Sequence, residues 1–234
     1  SKNTSLNVIT KISNVPQNID HNHLYNWIEN SIENSIKNLR SEKINTLLVH
    51  NVDDLMGARG ERLFECLKEM KKDRKIESIG YSVYSIAHVE SLYNKFRPDV
   101  VQIPMSIIDN RFNSSGWTKK MRGDGVLVHA RSIFLQGLLL MDIKQMPLYF
   151  SKWSKIWDLW NKYLKLNNLS PLSACLMYMM KQVNLDNISH FIVGINSNKN
   201  LLDIIEIINQ PILDDFKSFD IKDENLLNPT LWKI

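Results

Sequence analysis

VITK (residues 8–11) and TLLVH (residues 46–50) are two apolar, strand-like stretches, and each ends on one ionisable residue, Lys11 and His50. A segment with helical spacing of its apolar residues, 21–40, lies between them. Parallel strands joined through a helix present their carboxyl ends at the same edge of a sheet, and the active sites of α/β proteins form there. The two stretches therefore predict a parallel α/β fold in which Lys11 and His50 contribute to one proton-transfer site.

The alternation of strand and helix continues along the chain. Apolar runs predict six strands, at residues 7–12, 44–50, 77–82, 100–103, 126–130 and 190–193. Helical periodicity predicts helices at residues 21–40, 59–74, 86–96, 115–122, 147–182 (broken near Ser170 and Pro171) and 200–209, and no clear period follows from residue 211 onward. Strands that are apolar throughout indicate burial on both faces and hence a parallel sheet. Because no linker interrupts this order, we predict one domain over residues 1–234.

Two architectures accommodate this order of elements. A doubly wound open sheet and a TIM-type β/α barrel of eight strands both alternate parallel strands with helices. A count of six strands favours the open sheet if the chain is complete. However, the glycine-rich dinucleotide fingerprint that an open-sheet protein would carry after its first strand is missing.

Composition excludes several classes of function. The formal net charge is +4, from 29 Lys and Arg against 25 Asp and Glu, so neither nucleic acid nor a membrane surface is an expected partner. No apolar run reaches the ~18 residues of a membrane span. The two cysteines, Cys66 and Cys175, lie in amphipathic helical patterns, which predicts buried thiols in the reducing cytoplasm. The histidines form no spaced cluster with Cys or Glu, so no metal site is expected.

Short motifs follow the predicted strands at regular βα spacing. They read HNVD (50–53), GYS (80–82), VQIP (101–104), RSIFLQG (131–137) and VGINS (193–197), with Asn200 beyond. Taken in order, this series resembles the aldo-keto reductase family, and most of all its bacterial members with an RSxFLQG segment after the seventh barrel strand. The ending Asn228-Pro229, followed by Trp232, is also similar to that family, so the resemblance covers nearly the whole chain.

The resemblance implies a TIM-type (β/α) barrel that is incomplete at its N-terminus, with about six of its eight βα units in this chain. It also implies reduction of an aldehyde or ketone by NADPH or NADH without a metal, with a sugar-related carbonyl as one candidate substrate. Lys11 and His50 match the Lys and His of the family's catalytic set of Asp, Tyr, Lys and His. In that set a Tyr hydroxyl donates a proton to the carbonyl oxygen, and the nearby ammonium lowers the Tyr pKa from its usual ~10.

The family's Asp and Tyr precede the strand that carries the Lys. This chain begins at the Lys strand, so the resemblance implies a truncated chain to which reductase activity is not carried over. Tyr25, Tyr81 and Tyr84 are the nearest hydroxyls in sequence that could replace the missing Tyr, and none occupies the family position.

The positions that bind the cofactor in the family are largely present. By resemblance, Ser82 and Gln102 contact the nicotinamide carboxamide, although the Asn that usually follows the Ser is Val83 here. The loop near the pyrophosphate would supply Arg131, Ser132 and Gln136, and the segment at the adenosine end would supply Gly194, Asn196, Ser197 and Asn200. Many relatives carry Lys or Arg for the 2′-phosphate where this chain has Asn196, so the resemblance does not decide between NADP and NAD.

Three functional hypotheses follow from these observations. The chain is a piece of an NAD(P)H-dependent reductase acting on a small-molecule carbonyl, or it is a non-catalytic relative that acts as a binding or scaffold module. The second hypothesis implies a homo-oligomer or other partner, because exposed strand edges pair with further strands. The third hypothesis keeps the short chain as a reductase with a substitute proton donor.

Overall fold

A computed structural model describes residues 6–212, 219 and 221–233, which fall into two compact units. The first unit comprises residues 1–102 and 124–127, and the second comprises residues 103–123 and 128–234. The prediction of a single domain over residues 1–234 stays a prediction.

The first unit alternates short parallel strands with helices. Its elements are β1 (Ile9–Ile12), α1 (Leu24–Leu39), β2 (Thr46–Val49), α2 (Asp53–Met56), α3 (Gly60–Lys72), β3 (Ser78–Ser82), α4 (Ile86–Leu92) and the first three residues of β4 (Val100–Pro104). A 3₁₀ turn, His21–His23, precedes α1. Each strand pairs in parallel with the next one along the chain, β1 with β2, β2 with β3 and β3 with β4. The predicted parallel order of these four strands is therefore confirmed.

The strand register aligns residues into rows across the first unit. One row consists of Lys11, Leu48, Gly80 and Val100, and the next row consists of Ile12, Val49, Tyr81 and Val101. All four side chains of the second row are almost fully buried, with exposed fractions of 0–1%. Successive residues of a strand point to opposite faces, so the two rows lie on opposite faces of the sheet.

The prediction that the strands are buried on both faces is confirmed for β2, β3 and β4, but it is wrong for β1. In β1 only Ile12 is buried, whereas Ile9 and Lys11 are exposed.

The close approach of β3 to β4, in the row that contains Lys11, depends on a glycine. A Cβ on Gly80 would lie only 1.9 Å from the carbonyl oxygen of Val100, so only glycine lets β3 approach β4 this closely.

The second unit contains the remaining helices and the last two strands. Its elements are α5 (Arg111–Ser114), α6 (Trp117–Gly123), β5 (Leu127–Arg131), α7 (Ser154–Leu166), α8 (Pro171–Asn184), β6 (His190–Phe191), α9 (Asn198–Ile208) and α10 (Glu224–Leu227). Strands β5 and β6 are parallel and pair through His129 with His190 and Ala130 with Phe191. The backbone N–H of Met105 also donates to the carbonyl oxygen of Arg131, at 3.1 Å.

Most differences from the sequence predictions in this unit concern where elements begin and end. The predicted break before α8 is confirmed, because Ser170 caps the helix by accepting the Ser173 N–H and Pro171 is its first residue. The strand predicted at 190–193 is only two residues long, and neither residue is buried, so the prediction of burial on both faces was wrong for β6 as well. The tail, where no period was found, contains α10, a single turn capped by the Asp223 side chain. Such a turn depends on its cap and is too short to show periodicity.

The core of the second unit contains three tryptophan side chains. Trp157 and Trp160, on one face of α7, are 2% exposed, and Trp153, in the 3₁₀ helix Leu148–Trp153, is 8% exposed. Cys66 and Cys175 are buried free thiols, as predicted. In the part of the chain that the structure describes, no helix is both long and apolar enough to cross a bilayer.

Candidate functional site

The first unit brings four predicted site residues to the carboxyl ends of its strands. This strand-end cluster consists of Lys11, His50, Ser82 and Gln102. Ser82 on β3 pairs with Gln102 on β4, and both lie two residues after the row that contains Lys11. His50, which directly follows β2, also lies two residues after that row. Rows two apart share a face and lie about 7 Å apart along the strand. The register therefore puts Lys11 on the same face of the sheet as the other three residues.

Ser82 and Gln102 form the buried part of the cluster. Their exposed fractions are 1% and 2%, and the Val83 N–H donates to the Gln102 carbonyl oxygen at 2.9 Å, which continues the strand pairing past Ser82. The side-chain Oε1 of Gln102 has no hydrogen-bond partner among the described residues. A buried acceptor without a partner costs about 1–3 kcal/mol, so its retention needs an explanation. An incoming N–H donor, such as that of a carboxamide, would satisfy it.

Lys11 and His50 form the accessible part of the cluster. Both residues are exposed. The turn after His50 is ordered by Asn51, whose Oδ1 accepts the Asp53 N–H at 3.2 Å just before α2. The arrangement offers one cation and one ring that donates and accepts hydrogen bonds, beside a buried amide and a buried hydroxyl.

Two of the three tyrosines considered as substitute proton donors lie away from this cluster. Tyr81 belongs to the row on the opposite face of the sheet, and it is fully buried. Burial raises the pKa of the Tyr81 hydroxyl well above its usual value. Tyr25, on α1, donates to Asp73 at 3.0 Å, and its pKa is raised by desolvation and by that carboxylate. Tyr84 is partly exposed, two residues beyond Ser82.

The second unit contains a cavity of about 550 Å³. This volume lies within the ~300–1,000 Å³ range typical of small-molecule sites. Its lining includes six of the residues predicted to contact a cofactor, namely Arg131, Ser132, Gln136, Gly194, Asn196 and Asn200. Ser197, the seventh predicted residue in this unit, instead caps α9, because its hydroxyl accepts the Asn200 N–H at 3.1 Å. The cap fixes the first turn of α9 beside the cavity.

Apolar side chains that sequence reasoning did not single out complete the cavity wall. Phe134 comes from the loop after β5, Leu172 from α8, and Ile204 from α9. They are brought together by packing between segments far apart in the chain, for which a local sequence pattern carries no signal. An aromatic ring and branched aliphatic side chains suit a flat heterocycle, while Arg131 offers a cation.

The loop after β5 has an unusual backbone. Ser132, Leu135, Gln136 and Gly137 all have φ between +47° and +86°, in the left-handed region. Non-glycine residues in this region cost of order 1–3 kcal/mol each, and such residues cluster at ligand-binding sites. Leu135 is anchored in the core at 1% exposure, and its N–H donates to the Ser132 carbonyl oxygen at 2.8 Å. The loop is thus held in a strained shape directly at the cavity.

A pair of histidines lies on the face of β5 and β6 that also faces the cavity. The two histidines are two residues closer to the amino ends of these strands than the residues that line the cavity. His129 and His190 are register partners with ring centroids 5.0 Å apart in an edge-to-face arrangement. Arg131 and Ile192, which line the cavity, follow them by two residues. His129 is 4% exposed, and burial and the neighbouring His190 lower its pKa to about 4.

Within the described ranges no group of three or more His, Cys, Asp or Glu is arranged for a metal ion.

Comparisons with known proteins bear on both sites. The aldo/keto reductase family model matches residues 1–223. The holo form of the aldo-keto reductase AKR11C1 from Bacillus halodurans superposes with a TM-score of 0.65 at 18% identity, covering 89% of this chain and 68% of that one. A Gox0644 variant in complex with NADPH gives a TM-score of 0.61 at 16% identity, with coverages of 89% and 66%.

A third solved structure, the aldose reductase from Giardia lamblia, has a TM-score of 0.58 at 14% identity, with coverages of 89% and 69%. This chain therefore spans about two thirds of the length of these three structures. No curated protein sequence is significantly similar to it. The predicted fold class, a TIM-type α/β barrel with about six of its eight βα units, is confirmed by these structures and by the six strands described above. By its match over residues 1–223, the chain belongs to the aldo-keto reductase family.

Proposed function

We propose that this chain is the larger part of an NAD(P)H-dependent oxidoreductase that reduces an aldehyde or ketone. The observation that carries the proposal is the cavity of the second unit, whose lining includes six residues predicted for a nicotinamide cofactor. Family membership supports it, as does the NADPH complex of the structurally similar Gox0644 variant. A sugar-related carbonyl is the substrate class that we would test first, because of the likeness to the RSxFLQG members.

Each unit contains side chains that suit one part of a nicotinamide dinucleotide. In the first unit, Ser82 and the Gln102 Oε1, which is buried and has no hydrogen-bond partner among the described residues, would suit a carboxamide, which both donates and accepts hydrogen bonds. In the second unit, Arg131 would suit phosphate oxygens. The bound cofactor would supply a hydride to the carbonyl carbon.

Lys11 and His50 have separate roles in the proposed reaction. As the carbonyl carbon is reduced, negative charge grows on the carbonyl oxygen. A His50 ring N–H would orient that oxygen, and the Lys11 ammonium would stabilise the charge and lower the pKa of a hydroxyl proton donor. Turnover therefore needs a hydroxyl beside Lys11, while cofactor binding does not. Cofactor binding would therefore be independent of catalysis and would need only residues of this chain.

Binding is tested first, by titrating the folded chain with NADH and with NADPH and following either tryptophan fluorescence or heat. Turnover is then followed by loss of nicotinamide absorbance across a panel of aldehydes, ketones and aldoses. Lys11→Ala and His50→Ala should abolish any turnover, and Lys68→Ala, at an exposed position on α3, serves as the matched control. Failure of both dinucleotides to bind the folded chain would refute the proposal.

A second candidate function is a non-catalytic module completed by another polypeptide. Among the described residues, β6 is hydrogen-bonded to β5 only, and α9 exposes Leu202 (64%) and Ile205 (42%). An open strand edge and an exposed apolar helix face both favour pairing with a further chain. Light scattering coupled to size-exclusion chromatography tests this alternative, and a monomer with full cofactor affinity would contradict it.

A further inference from the structure

We propose that His129 and His190 form a two-imidazole site for a divalent transition metal ion such as Zn²⁺, next to the cavity of the second unit. The two residues lie far apart in sequence, so no ligand spacing along the chain indicates such a site. Strand register brings them together, because His129 of β5 pairs directly with His190 of β6. The inference does not depend on the proposed function, since it concerns neither the cofactor nor the carbonyl substrate.

The separation of the two rings suits a shared metal ion. Their centroids lie 5.0 Å apart, and the angle between the ring planes is 82°. Zn–N bonds of about 2.1 Å at the tetrahedral angle put the centroids of two imidazole ligands about 5 Å apart. Each ligand nitrogen points along the plane of its own ring, so two rings on one metal ion need not be parallel. The ring separation therefore requires no change in the pairing of β5 with β6.

The buried member of the pair lacks a hydrogen-bond partner. His129 is 4% exposed, and its Nε2 is buried without a partner among the described residues. Most buried polar side-chain atoms have such a partner, so this nitrogen needs an explanation, and a ligand supplies one. Burial and the neighbouring His190 lower the pKa of His129 to about 4. The ring is therefore neutral at neutral pH, and no proton has to leave before a metal ion binds.

The exposed member of the pair provides the entry path. His190 is exposed, and among the described residues β6 is hydrogen-bonded to β5 only. A hydrated ion in solvent can therefore reach His190 and exchange its waters for the two imidazoles. Imidazole nitrogen suits Zn²⁺, Cu²⁺ and Ni²⁺, whereas Mg²⁺ and Ca²⁺ take oxygen ligands. The pair should accordingly discriminate between these two classes of metal ion.

The surroundings of the pair make the site weak and exchangeable. Within the described part of the chain no third His, Cys, Asp or Glu joins the two histidines, whereas structural zinc sites have four protein ligands. Arg131 follows His129 by two residues on the same face, about 7 Å along the strand, and its positive charge opposes a bound metal ion. The remaining positions of the metal ion would be filled by water or by an added carboxylate.

The test titrates the full chain, without a polyhistidine tag, with Zn²⁺ at neutral pH and measures the dissociation constant by calorimetry. His190→Gln and His129→Phe should each lower Zn²⁺ affinity about tenfold or more, which corresponds to ~1.4 kcal/mol. His23→Ala is the matched control, because the His23 side chain is 73% exposed and should contribute no affinity. Mg²⁺ at the same concentration should not bind.

Cu²⁺ gives a second readout, because its electron paramagnetic resonance spectrum reports how many nitrogens are bound. We expect two imidazole nitrogens in the wild-type chain and at most one in each of the two variants. Thermal unfolding shows whether each variant keeps its fold. His190→Gln, at the exposed position, carries the test if His129→Phe does not fold.

Three results would overturn the inference. The first is that Zn²⁺ does not bind to the folded wild-type chain. The second is an equal loss of affinity in His23→Ala, which would indicate nonspecific binding to exposed histidines. The third is a copper spectrum with a single imidazole nitrogen, which would mean that the two rings do not share a metal ion. None of these results bears on cofactor binding, so failure of this inference leaves the proposed function intact.

Discussion

The strand-end cluster of the first unit and the cavity of the second unit are built in different ways. In the cluster, Ser82 and Gln102 are almost fully buried and their positions follow from strand register. In the cavity, Asn196 and Asn200 are exposed residues at the start of a helix, and the loop of Ser132 is held by left-handed backbone conformations. Each region carries residues that the resemblance predicts for cofactor binding.

Because the two regions are built differently, substitutions in them should affect different quantities, either the free energy of unfolding or the affinity for a ligand. Ser82 and Gln102 are buried between neighbouring strands, so changing their surroundings disturbs the packing of those strands. A side chain on an exposed loop or helix end touches little of the core, so its replacement should alter ligand affinity with little effect on unfolding. The four predictions below test this separation, in order of decreasing expected effect.

The largest effect is expected from Gly80→Ala, next to the strand-end cluster. The new Cβ would lie 1.9 Å from the Val100 carbonyl oxygen, which is backbone and cannot move without separating β3 from β4. We expect the free energy of unfolding to fall by about 3 kcal/mol or more. Urea denaturation measures it. Gly123→Ala is the matched control, because a Cβ there meets nothing within 4 Å. A Gly80→Ala variant as stable as the control would show that register does not constrain the cluster.

The next effect is expected from Arg131→Ala in the cavity. Loss of the one cation among the described residues of the lining should lower NADH affinity about tenfold or more, because charge-assisted hydrogen bonds contribute ~1.5–3 kcal/mol. The free energy of unfolding should change by less than about 0.5 kcal/mol. Calorimetric titration and urea denaturation give the two values. Arg122→Ala removes an ion pair with the exposed Asp186, outside the cavity, and should leave affinity unchanged. Equal losses in both variants would point to a nonspecific charge effect.

Gln102→Leu should separate stability from binding within the strand-end cluster itself. The substitution removes a buried acceptor that has no partner among the described residues, so we expect unfolding stability to stay constant or rise by about 1 kcal/mol. Affinity for NADH should fall about tenfold, because the proposed partner of the carboxamide is lost. The same two measurements apply. A clear loss of stability without a change in affinity would mean that Gln102 serves the fold and not the cofactor.

The smallest effect concerns pH and the histidines next to the cavity. The folded-state pKa of His129 is lowered to about 4, below the ~6.5 of an unfolded histidine. The unfolded chain therefore binds more protons at acidic pH, and stability that is fully present above pH ~6.5 is lost as pH falls toward ~4. His129→Phe should remove on the order of 1 kcal/mol of this pH dependence. Thermal melts at several pH values measure it.

His23→Ala is the control for the pH experiment, since the His23 side chain is 73% exposed. Its stability profile should match that of the wild-type chain. If His129→Phe retains the full acid sensitivity, the sensitivity must come from carboxylates that lose their ion pairs on protonation.

Much of the fold could be predicted from local patterns. Apolar runs located all six strands, and the Ser170-Pro171 signal located the start of α8. The exposed β1 and the two-residue β6 were not anticipated, because an apolar run indicates the capacity for burial and does not show which neighbours are present. The turn of α10 was missed for a related reason, since its Asp223 cap has no periodic pattern around it.

By itself, the sequence determined the order of strands and helices, the polar residue at the end of each strand, and the aldo-keto reductase family. Only the tertiary structure decided that Lys11 lies on the same face as His50, that the Gln102 Oε1 is buried without a described partner, and that Leu172 and Ile204 complete a cavity with Arg131. The reason is that periodicity is local along the chain, whereas register, burial and cavities arise from contacts between segments far apart in sequence.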